Sequence, residues 1–178
     1  MIEEIMIKPL TLATFILISA LSACSSSEQD KPRVDLQHYK VPNSDLLQQR
    51  FIQLNQGLSK DYQQFKKNNN SAFSDQSVFD VDQPQSLYLH AVSRSSLKPV
   101  KMAYCEMMNG YFAEMYYLGN QNLNLVAHIQ LPNAQDKDLT QFFVNTEVFY
   151  DFILNRYSSY RQAQEIMRYG CNLKASLH

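Results

Sequence analysis

Between residues 44 and 67, Leu47, Phe51, Leu54, Leu58, Tyr62 and Phe65 recur at intervals of three and four, with Gln48, Gln49, Gln53, Gln56 and Gln63 on the other side. That period puts the apolar side chains on one stripe of a helix. Pro42, Asn43 and Ser44 supply its cap, and Asn68-Asn69-Asn70 stops it. A polar loop follows over 68–86, with Phe73 and Phe79 expected to pin it to the core. Residues 87–94 read as a strand or as helical turns. Helix is favoured because no second convincing strand exists to pair with it.

The stretch 97–118 predicts a central helix in which Tyr104, Cys105, Met108, Tyr111, Phe112, Met115, Tyr116 and Leu118 cover about half the circumference. Glu106, Asn109 and Glu114 fall on the other, solvated side. Pro99 suits its first turn and Gly119-Asn120 a left-handed C-terminal cap. Residues 121–131 are helical or extended. Residues 137–157 predict one strong helix with a broad core face and a second apolar stripe, Val144, Val148 and Phe152, roughly opposite. A short helix over 159–169 ends at Gly170, with Cys171 just beyond. The expected fold is all-α, a small bundle of four to six helices over residues 43–178, with an α+β fold carrying one small sheet as the alternative.

Ahead of the helices the pattern changes. Residues 10–21 form an apolar run too short for a permanent membrane-spanning helix but of signal-peptide length. It leads into Leu21-Ser22-Ala23-Cys24 and then Ser25-Ser26-Ser27. This resembles the lipobox of bacterial lipoproteins. The resemblance implies that Cys24 is lipidated with diacylglycerol, that residues 1–23 are removed as a signal peptide, and that the new amino terminus is acylated. Ser25, where the family's inner-membrane retention signal has Asp, implies the outer membrane on its periplasmic face. Glu3 and Glu4 fit a signal start poorly, whereas a start at Met6 gives the short basic opening Met6-Ile7-Lys8. The Ser-rich, charged residues 24–42 read as a flexible tether, so the expected division is 1–23 signal, 24–42 tether and 43–178 folded domain.

In the oxidising periplasm, Cys105 and Cys171 have only each other as partner, which predicts a structural disulfide stapling the bundle. A catalytic thiol at Cys105 would need a basic neighbour, and no spacing among His38, His90, His128 and His178 supplies one.

Composition narrows the function classes. The formal net charge is −1, and loss of residues 1–23 removes Glu3, Glu4 and Lys8, leaving zero. A neutral chain without a basic block carries no footprint for nucleic acid. Four glycines do not provide a phosphate-cradling loop, and no metal-ligand or serine-nucleophile spacing occurs. Glu106 and Glu114, tested as paired acids for glycan cleavage, stand two helical turns apart, roughly 12 Å, beyond the usual carboxylate pair. No cofactor and no metal are expected. Tyrosines and methionines of the central helix lining an apolar cleft are the minority reading against plain core.

These features predict a non-catalytic lipoprotein that binds another periplasmic protein, with Val144, Val148 and Phe152 as the candidate face. Two roles fit: an assembly factor for a secretion or pilus component, resembling in architecture the small disulfide-bonded helical pilotins, or immunity against a periplasmic toxin. A cell-wall enzyme or glycan-binding lipoprotein is the rival from a different class.

Overall fold

The computed structural model describes residues 35–131 and 138–178. The expected signal peptide, Cys24 and the tether up to residue 34 lie outside them, as does position 137 at the start of the expected last long helix. Over the described residues the chain is all-helical, without strands. Helix α1 spans Ser44–Asn68, capped by the Asn43 side chain, which accepts from the Leu46 N–H at 2.9 Å. Its stripe is buried at Leu47, Phe51, Leu58 and Tyr62, and half-buried at Leu54 and Phe65.

Helix α2, Lys98–Asn120, carries Pro99 in its first turn and runs antiparallel to α1. Asn55 pairs with Tyr111 and Tyr62 with Tyr104, so residue numbers rise on one helix as they fall on the other. Gly119 does not cap α2. The helix continues to Asn120, and no glycine among the described residues has positive φ. Gly119 is instead pressed against Phe143, whose ring occupies the space a Cβ would need. Phe143 is fully buried and meets Phe51, Phe149 and Phe152, so the missing side chain at Gly119 admits an aromatic hub.

The ambiguous stretch after the loop is a 3-10 helix, Pro84–His90, against which helix α5, Ser158–Met167, packs. Ser159 Oγ donates to the Pro84 carbonyl. Phe73 and Phe79 are buried, as expected. Residues 123–126 make only a single turn, α3, Leu123–Val126.

The expected continuous helix over 137–157 is broken. A 3-10 turn, Thr140–Phe143, is followed by Asn145 in extended conformation, and helix α4, Thr146–Arg156, starts afresh. Asn145 Oδ1 accepts from the Val148 N–H at 2.9 Å, and an Asn that caps a new start cannot sit inside a helix. The left-handed stop of α5 is Arg168, φ 49°, rather than Gly170. A last turn, α6, Leu173–Ser176, lies on α2 and α4.

Two further placements differ from the expectation. Asn109 is buried: its Nδ2 donates to the Cys171 carbonyl and to Ser176 Oγ, and its Oδ1 accepts from Tyr160 OH at 2.8 Å. It holds the C-terminal turn beside the Cys105–Cys171 disulfide, which is formed as expected. The expected tether also ends earlier. Leu36–Tyr39 form a 3-10 turn with Tyr39 buried, and Asn122 clamps this segment by donating to the Tyr39 carbonyl at 2.8 Å and accepting from the Val41 N–H at 2.9 Å. Tyr39 and Val41 carry enough apolar surface to fold onto the domain.

Candidate binding groove

Helices α1 and α2 do not close against each other along their outer edge. A groove of about 750 Å³ runs between them, lined on α1 by Arg50, Gln53, Leu54, Gly57, Leu58 and Asp61 and on toward Asn68, and on α2 from Glu106 through Met107, Gly110 and Tyr111 to Glu114 and Leu118. The α1 positions fall three and four apart, a whole helix face about 27 Å long. Leu58, Tyr111 and Leu118 are buried and form the floor with half-buried Leu54, Phe65 and Met107. Gln53, Asp61, Gln64, Glu106 and Glu114 are exposed along the rim.

Two of the chain's four glycines, Gly57 and Gly110, lie in this groove. Neither has positive φ, and a Cβ built on either meets nothing within 4 Å. Each sits mid-helix, where glycine costs about 1 kcal/mol against alanine. The register set by Asn55–Tyr111 and Tyr62–Tyr104 puts them at the same level on opposite walls. The groove is therefore notched near its middle by glycines that neither the backbone nor the packing requires.

Its ends differ. Near Arg50 and Leu118 stands the docked first segment, where Tyr39 OH donates to Glu114 Oε1 at 2.6 Å. Burial, and then the Glu114 carboxylate, push the Tyr39 hydroxyl well above the usual tyrosine range. Beyond Phe65 the α1 end is anchored by Lys66, which is buried. Its ammonium donates to the carbonyls of Asp75 at 2.8 Å and Ser77 at 2.9 Å and lies 2.6 Å from His90 Nδ1. Its ammonium also faces the Phe73 ring at 5.5 Å. Burial lowers the Lys66 pKa while Asp75 opposes the shift; burial and then Lys66 lower that of His90, again opposed by Asp75. Neutral His90, with its proton on Nε2, accepts from Lys66. The knot is a structural pin for the 73–90 stretch.

The face expected at Val144, Val148 and Phe152 is divided. Val144, 47% exposed, lies ahead of the Asn145 cap, and Val148, 36% exposed, is in the first turn of α4. Phe152 is 6% exposed and stacks on Phe142 at 4.5 Å between ring centres. One stripe on one helix is thus not what the chain builds. Glu106 and Glu114 line the same groove, but from its exposed rim. His90 and His128 are not brought together: the first is in the Lys66 knot and the second is exposed. Among the described residues no three His, Cys, Asp or Glu side chains group so as to hold a metal, and no helix is long and apolar enough to cross a membrane.

The chain matches no protein-family profile, no curated protein and no solved structure. The functional reading therefore rests on the groove and the sequence. From the sequence, a cleft lined by tyrosines and methionines of the central helix is only the minority reading, and α1 is not placed in that cleft. The signal that was there is Gly57 and Gly110, each interrupting a strong helical pattern without any turn to make.

Proposed function

We propose that the protein is a lipid-anchored, non-catalytic binding module that holds a partner protein at the periplasmic face of the outer membrane through the α1–α2 groove. The observation that carries this reading is the apolar, glycine-notched groove left uncovered along α1. The two helical glycines leave open space beside an apolar floor, which supports a docking role. Its carboxylates stand on the exposed rim and its floor is apolar, an arrangement suited to docking rather than to bond cleavage.

The lipobox at Leu21-Ser22-Ala23-Cys24 supplies the anchor in this reading. In this reading the lipidated Cys24 lies close in sequence to the turn Leu36–Tyr39, which docks through Tyr39 beside one end of the groove. Delivery of an assembly component and immunity against a periplasmic toxin both fit a groove that docks a protein.

Two measurements test the proposal. Fractionation of cells producing the full chain is expected to place it in outer membranes, with Cys24→Ala blocking both lipidation and signal removal and so leaving an unprocessed precursor outside the outer-membrane fraction. A photo-crosslinking residue at Gln53, on the groove rim, is expected to give a discrete protein adduct in the envelope that the same residue at Gln63, outside the groove, does not. Equal adducts from both positions, or none from Gln53, contradict the proposal.

A further inference from the structure

Resting on the binding role just proposed, we infer that the occupant of the groove is an amphipathic helix with a bulky apolar side chain at its centre and basic residues on its flanks. Three observations carry this. First, the open face of α1 from Arg50 to Asn68 is about 27 Å long, the length of about 18 helical residues. An antiparallel helix pair with its outer edge uncovered offers the ridges and valley into which a third helix settles, with anchors at spacings of three, four and seven.

Second, Gly57 and Gly110 face each other across that valley with empty space above both. Leu54, Leu58, Met107 and Tyr111 surround the notch. A single large apolar side chain pointing inward fills it, as buried anchors do at the centre of tight interfaces. Third, the charged groups of the rim are Arg50 against Asp61, Glu106 and Glu114. Asp61 and Glu106 stand on opposite walls at one end, so a helix in the valley passes between carboxylates there, while at the other end Glu114 is held by Tyr39 near Arg50. Charge complementarity selects lysine or arginine flanks and disfavours acidic ones.

The test uses the purified periplasmic form of the full domain with three fluorescent peptides of about 18 residues. One is a leucine-striped helix with a central phenylalanine and lysine flanks, one its glutamate-flanked counterpart, and one a scramble of the lysine peptide. Fluorescence anisotropy is expected to show saturable binding of the lysine helix, at least tenfold tighter than either control. Gly57→Leu with Gly110→Leu, which fills the notch from the protein's own side, is expected to weaken it at least tenfold while the helical circular dichroism stays unchanged. Asp61→Lys with Glu106→Lys is expected to invert the preference toward the glutamate helix, and that variant keeps the question open to decision even if the leucine pair misfolds.

Equal binding of helix and scramble, no effect of the filled notch, or an unchanged charge preference overturns the inference. So does concentration-dependent self-association that the filled notch abolishes, since the occupant is then a second copy of this chain. If the peptides fail while the Gln53 adduct forms in cells, the identity of the occupant is wrong and the binding role stands. If both fail, the binding role falls as well.

Discussion

The most discriminating perturbation is alanine at each of three helical glycines. Gly57, Gly110 and Gly119 lie within α1 and α2, and none has positive φ. On helix propensity alone each change stabilises by about 1 kcal/mol. The surroundings split them. At Gly57 and Gly110 the new methyl meets nothing within 4 Å, so the propensity gain is kept. Together they are expected to add about 1.5–2 kcal/mol. For a domain of this size that raises Tm by about 5–8 °C.

At Gly119 the methyl coincides with the Phe143 ring, Cγ included, so the whole side chain must move. Phe143 is fully buried among Phe51, Phe149 and Phe152 and has nowhere to go. Overpacking of this kind costs about 1–3 kcal/mol or more and outweighs the propensity gain. Gly119→Ala is therefore expected to lower stability while its neighbour on the same helix, Gly110→Ala, raises it. Urea unfolding followed by far-ultraviolet circular dichroism reads both signs. Destabilisation by Gly57→Ala and Gly110→Ala would refute the claim that the groove is empty space, and tolerance of Gly119→Ala would refute the Phe143 packing.

Four further outcomes follow from the core. Reduction of Cys105–Cys171, separated by 66 residues, is expected to cost roughly 4 kcal/mol by loop entropy; a change under 1 kcal/mol in the urea midpoint analysis contradicts it. Tyr104 is fully buried and its hydroxyl makes no hydrogen bond of good geometry among the described residues; the neighbouring Tyr62 hydroxyl donates to the His90 carbonyl at 2.7 Å. Tyr104→Phe is expected to be neutral or to stabilise by up to about 1 kcal/mol, and a loss above that in thermal unfolding shows that the hydroxyl is bonded. His90 titrates lower in the folded chain than unfolded, because of burial and then Lys66, so the unfolded state takes up the proton first as pH falls. Stability is expected to hold above pH ~6.5 and to decline below it. Thermal unfolding of His90→Gln, whose carbonyl still accepts from Lys66, is expected to lose that slope, and parallel curves for the two proteins count against it. Asn122→Ala removes both clamps on residues 39–41 and is expected to expose Lys40 to trypsin while the remaining domain resists, with unchanged cleavage as the contrary result.

Much of the architecture was legible because burial and helical period coincide. The stripe of α1, the span of α2, the loop aromatics Phe73 and Phe79, the all-α class and the Cys105–Cys171 pairing all follow from residue type and spacing. The failures share a physical cause: a side chain that could satisfy two local roles was assigned one. Asn145 reads as an ordinary polar position of a helix until its Oδ1 is seen capping α4. Asn109 looks solvated from its place on α2, yet three hydrogen bonds let it lie beneath the C-terminal turn. Periodicity cannot register the second case, because the compensating partners of Asn109, namely Cys171, Ser176 and Tyr160, are more than fifty residues away.

The candidate site illustrates the same limit more sharply. An apolar stripe on a helix says that a surface is to be covered, but not whether this chain or another covers it. Val144, Val148 and Phe152 read as one stripe beyond the core; the Asn145 cap sets Val144 apart from α4, and Phe152 is absorbed by Phe142 and Phe143. Leu54 and Phe65 belong to the apolar stripe expected inside, yet with Met107 they remain half open along the groove. What separates the two cases is the glycines. A helical glycine at close contact, such as Gly119, is explained once its neighbour is found. One that leaves a void beside an apolar floor, such as Gly57 or Gly110, is a destabilising choice with no beneficiary inside the molecule. The proposed occupant, a helix with a single large side chain at its middle, would fill the space those two residues leave.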